Sequence, residues 1–65
     1  MTIQTAMNCV DKYYLSRKQG LSKEESLEKC EMFLYGRKIA HIISEEDAIK
    51  IMLHLETISM FDTTI

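Results

Sequence analysis

The stretch from Ser44 to Phe61, SEEDAIKIMLHLETISMF, constrains this chain more than any other. Ser44 is a good helix N-cap, Asp47 stands three residues on in a weak S-x-x-[DE] capping pattern, and Glu45, Glu46 and Asp47 suit the positive end of a helix dipole. At about 100° per residue, Ala48, Ile51, Met52, Leu55 and Ile58 form one apolar face. Ile49, Leu53 and Met60 form a second face beside it, with Glu56 between parts of the two. Glu46, Asp47, Lys50, His54 and Thr57 are left as a polar arc. A surface helix typically carries one apolar stripe, so a helix that is apolar around most of its circumference needs cover on several sides. This helix requires at least two neighbours.

At 65 residues the chain is a single domain, 1–65. Folding a chain of this size buries only roughly 60% of the unfolded surface, and association with another chain is a common source of added stability. A hydrophobic content of 46% beside 28% charged residues is that of a globular protein, and the absence of Pro with only two Gly favours helices.

The first helix is expected over residues 3–19. Ile3, Ala6, Met7, Val10, Tyr13, Tyr14 and Arg17 gather on one side; Thr5, Asn8, Lys12, Ser16 and Gln19 line the other, with Leu15 outside the stripe. Gly20 fits the position that ends a helix. Ser22 and Glu25 then supply an S-x-x-E capping box, so the second helix starts at Lys23, with Leu27, Cys30 and Leu34 as its stripe and Phe33 at the edge. Met32 and Tyr35 lie off that stripe.

The segment GRKIAHII, Gly36 to Ile43, reads two ways. Gly36 caps the helix and an extended connection follows, or the helix runs on through Gly36 at about 1 kcal/mol relative to Ala, with Ile39 and Ile42 continuing the stripe. No Pro, Asn or further Gly precedes Ser44, which favours the longer helix, to residue 42. The expected fold is all-α, a small three-helix domain in which helices two and three form a helical hairpin and helix one packs across it. The tail, Asp62 to Ile65, is expected to fray.

No constellation in the sequence carries catalysis. Cys9, Cys30, His41 and His54 lack the close, regular spacing that brings four donors to one metal ion, so neither a metal nor a cofactor is expected. His54-Leu55-Glu56 matches half of a zinc deaminase signature, but the P-C-x-x-C half is absent, and residues two apart on a helix diverge. No Ser or Cys stands beside an oriented base, and no glycine-rich loop could hold phosphate. Two cysteines form no disulfide framework, the N-terminus does not read as a signal peptide, and no apolar run approaches the roughly 18 to 20 residues that cross a bilayer. A reduced, cytoplasmic protein without catalytic activity is the expectation.

Net charge is −2, with +2 over residues 1–38 and −4 over residues 39–65. Lys12, Arg17, Lys18 and Lys23 surround the first turn in helix-turn-helix order, which makes a nucleic-acid-binding regulator the alternative reading. The second helix, however, opens with Glu24, Glu25 and Glu28, which oppose phosphate contacts. The favoured expectation is a small interaction protein, a regulator or inhibitor that forms an isologous homodimer and binds a further, unidentified protein. Ile49, Met52, Leu53 and Met60 are the expected self-association residues. Leu15, Met32 and Tyr35, with Arg17, Lys18, Arg37 and Lys38, are the expected partner-binding set, because exposed aromatic, Met and Arg side chains favour interfaces.

Overall fold

Three α-helices make up the computed structural model, which describes residues 2–63: α1 Thr2–Lys18, α2 Lys23–Ile39 and α3 Glu45–Phe61. Each has 17 residues, and the bundle measures 35 × 18 × 17 Å. No strand occurs among the described residues.

Local chemistry sets the boundaries. After α1, Gly20 adopts φ 97°, its N–H donates to the Arg17 carbonyl at 3.0 Å, and the Leu21 N–H donates to the Ser16 carbonyl at 3.1 Å. This is a Schellman stop, which the missing Cβ of Gly20 makes easy. The capping box forms as the sequence indicates: the Glu25 N–H donates to Ser22 Oγ, and the Ser22 N–H donates to Glu25 Oε1, both at 3.1 Å. That main-chain N–H, and after it the Ser22 hydroxyl, hold the Glu25 carboxyl below its ordinary value. At the start of α3 the Asp47 N–H donates to Ser44 Oγ at 3.1 Å.

α2 does run through Gly36, but it stops before residue 42. His41 takes φ 60°, its N–H donates to the Lys38 carbonyl, and the Ile42 N–H donates to the Arg37 carbonyl, both at 3.0 Å. The same Schellman stop is thus made without glycine. The stripe is not continued by Ile39 and Ile42, which are exposed; Ile43 is buried instead. Ile39 lies five positions beyond Leu34, about 140° around the helix, and so faces away from the core.

The buried face of α1 also differs from the expected one. Thr5, Cys9, Tyr13 and Ser16 are buried, whereas Ile3, Met7 and Tyr14 are exposed. The cause is close packing on α2, the most extensive helix pairing in the molecule. Cys30 Sγ donates to the main-chain carbonyl of Cys9 at 3.3 Å, and Ser26 beside it is fully buried with its hydroxyl donated to the Ser22 carbonyl at 2.8 Å. Small side chains let the helices approach until a thiol reaches the neighbouring backbone. A larger apolar row at this seam would hold them apart.

The core consists of Cys9, Tyr13, Cys30, Leu34, Ile43, Ile51 and Leu55, with Ala6, Val10, Leu27, Phe33, Ala48, Met52 and Ile58 packed against it. The first apolar face of α3 therefore lies inward, as the periodicity indicates. Burial pushes the Cys9 thiol up to about 11, with the neighbouring Cys30 adding to the effect, and burial also raises Cys30.

Asp62, the first residue of the tail expected to fray, is held instead. Tyr13 Oη donates to Asp62 Oδ2 at 2.7 Å, Arg17 Nε donates to the same oxygen at 2.9 Å, and Arg17 Nη1 donates to the Leu21 carbonyl at 2.9 Å. The side chains of Arg17 and Asp62 are 11% and 3% exposed. Burial first, then the hydrogen bond to Asp62, pushes the Tyr13 hydroxyl up to about 12. This clamp places the C-terminal ends of α1 and α3 together, and α2 runs antiparallel to both. Thr63 is exposed, and the expectation for Thr64 and Ile65 lies outside the described residues.

Candidate interaction surface

The second apolar face of α3 is uncovered: Ile49 is 55%, Leu53 58% and Met60 78% exposed. On α2, Met32, Tyr35 and Ile39 are exposed at 69%, 60% and 59%. Tyr35 from the α2 set and Ile49 and Leu53 from the α3 set line a groove of about 370 Å³ between the helices. Leu34, Ala48 and Met52 form its floor, Tyr35, Ile49 and Leu53 its walls, and Glu31, Lys38, Glu45 and Glu56 its rim. Met32 adjoins the groove through a depression shared with Glu31 and Tyr35, so the apolar surface is continuous across both helices.

The rim charges are unequal. Lys38 Nζ lies 3.7 Å from Glu45 Oε1 and 5.6 Å from the centre of the Tyr35 ring. That ammonium is the single cation on a rim that also holds three carboxylates. Glu31 lies seven residues before Lys38 on α2, and Glu56 lies eleven residues after Glu45 on antiparallel α3. Both stand toward the opposite end of the groove, and neither forms an ion pair among the described residues.

Residues expected to serve separate roles meet here. Tyr35 and Lys38 from the partner-binding set line one groove with Ile49, Met52 and Leu53 from the self-association set; Met32 borders it, and Met60 continues the α3 face beyond it. Other members lie elsewhere. Arg17 is drawn into the Asp62 clamp rather than standing on an exposed rim. Arg37 stacks 4.7 Å from the Phe33 ring centre, and Lys12 lies 5.7 Å from it. Leu15 and Lys18 are exposed on α1 and do not line the groove. The four bases around the first turn consequently do not form one free patch.

Glu31, Leu34, Glu45, Ala48 and Glu56 were not among the expected site residues. The i, i+4, i+7 row Glu31, Tyr35, Lys38 was present in the sequence as a signal. Among the described residues, no three His, Cys, Asp or Glu side chains converge as a metal site, and no helix is long and apolar enough to cross a membrane. Comparison of the chain with known family models, curated proteins and solved structures gives no match.

Proposed function

We propose that this chain is a small interaction protein that works by burying its α2–α3 face against another polypeptide and performs no covalent chemistry. The observation that carries this reading is the exposed apolar surface around the α2–α3 groove, where Met32, Tyr35, Ile49 and Leu53 border the depressions and exposed Ile39 and Met60 lie on the same two helices outside them. The groove is lined by neither cysteine nor histidine, and its apolar floor suits side-chain packing better than proton transfer.

A photo-crosslinking residue placed at Tyr35 or at Leu53, in cells that express the chain, tests the reading. Both positions should yield covalent protein adducts, and exposed Lys29, off the groove on α2, should not. Absence of adducts, or equal adducts from Lys29, would overturn the proposal.

A further inference from the structure

On the reading of the α2–α3 face as an interface, we infer that the groove receives a basic amphipathic helix of a partner protein rather than a second copy of this chain. The shape fits one helix. From Glu45 to Glu56 the α3 lining spans about 17 Å, or three helical turns, and the groove lies between two antiparallel helices. Helix-in-groove recognition uses apolar anchors at i, i+3 or i+4, and i+7, a spacing that three turns accommodate. Leu34, Ala48 and Met52 supply a floor for those anchors, with Tyr35 and Leu53 beside them.

The charges select the occupant. Glu31, Glu45 and Glu56 stand on the rim against Lys38 alone, and Lys38 is already engaged with Glu45 and the Tyr35 ring. A second copy laid groove on groove would set two such acidic rims against each other, leaving carboxylates in excess after both lysines are paired. Like charges brought together at an interface act against the wrong partner. Lysine or arginine along the edges of an incoming helix would instead meet Glu31 and Glu56, whose carboxylates form no ion pair among the described residues.

The test uses two fluorescein-labelled designed peptides, each about four helical turns long. One has an amphipathic leucine–lysine pattern, and the other has every lysine replaced by glutamate. Binding is read by fluorescence anisotropy at low salt, and the mass of the free chain by light scattering. The leucine–lysine peptide should bind about tenfold tighter than its acidic counterpart, a preference that shrinks as salt rises. The double substitution Glu31→Lys with Glu56→Lys should reverse the order, while Leu53→Asp should weaken both peptides; circular dichroism establishes that each variant is folded. Equal binding, no binding, or a preference unmoved by the double reversal would overturn the inference. So would a dimer that the peptide does not dissociate, because the occupant would then be a second copy. Groove-specific crosslinks from Leu53 without the charge preference would sink this inference and leave the interface reading standing; loss of both would remove the interface itself.

Discussion

Removing the Asp62 carboxylate should cost this small domain much of its stability. One oxygen, Oδ2, accepts both the Tyr13 hydroxyl at 2.7 Å and the Arg17 Nε–H at 2.9 Å, at a site where Tyr13 is fully buried and Arg17 nearly so. In Asp62→Ala the buried phenol loses its acceptor and the guanidinium loses its carboxylate partner, while Arg17 Nη1 still donates to the Leu21 carbonyl. Breaking a buried charged pair by deleting one member costs about 3 to 5 kcal/mol. A chain of 65 residues has a total stability of roughly 3 to 10 kcal/mol. Asp62→Ala is therefore expected to lose from about a third to all of its stability. Asp62→Asn, which keeps a neutral acceptor, should lose about 1.5 to 3 kcal/mol, and Tyr13→Phe about 1 to 2 kcal/mol. Urea unfolding followed by circular dichroism gives these values, and the Tyr13→Phe, Asp62→Asn cycle should show coupling of at least about 0.5 kcal/mol. Were Asp62→Ala to cost less than about 1 kcal/mol, or the cycle to be additive, the tail would not be clamped as described.

Stability should fall at alkaline pH, because Cys9 is raised from 9.0 to about 11 and Tyr13 from 10.0 to about 12. The unfolded chain loses these protons first, so the contribution is complete below pH 9 and is lost through pH 11 for Cys9 and pH 12 for Tyr13. Urea midpoints measured across that interval should decline, and Tyr13→Phe should flatten the upper part. Gly36→Ala should stabilise the chain by about 0.5 to 1 kcal/mol, since the position is helical and an added Cβ meets nothing within 4 Å. His41→Gly should raise the thermal midpoint by removing a left-handed non-glycine residue at φ 60°, a gain of up to about 1 kcal/mol; an unchanged or lower midpoint would show that His41 is unstrained.

Where polar atoms announce a helix boundary, the sequence is explicit. Ser22 with Glu25, Ser44 and Gly20 mark their boundaries through groups that the helix ends need, and each acts as expected. The α2 stop was hidden because His41 occupies a conformation usually given to glycine or asparagine. α1 shows a deeper limit. Counting apolar residues placed Ile3, Met7 and Tyr14 inward, but the buried positions of α1 are Thr5, Cys9, Tyr13 and Ser16, and α2 meets it with Cys30 against the Cys9 backbone. Close approach at Cys9 and Cys30, and the partner that Asp62 offers Tyr13, select that face rather than hydrophobicity alone, and both depend on neighbours that the helix by itself does not reveal. The Asp62 clamp was equally inaccessible, since nothing local links Asp62 to Tyr13, 49 residues earlier.

The candidate site divides along the same line. That α3 carries more apolar surface than two neighbours can cover follows from periodicity within a single helix, and Ile49, Leu53 and Met60 are exposed. The rim is different in kind: Glu31 belongs to α2 and Glu45 and Glu56 to α3, so their common edge exists only after the hairpin has set its register through Leu34, Ala48 and Met52. A sequence taken helix by helix assigns such glutamates to solvent. Their placement around one groove changes the proposal from a greasy face that any chain could cover to one with a charge preference. On the proposed reading, the apolar floor would supply the driving force for association, and the surplus of carboxylates around it would discriminate among partners, disfavouring a second copy on the same grounds that favour a basic helix.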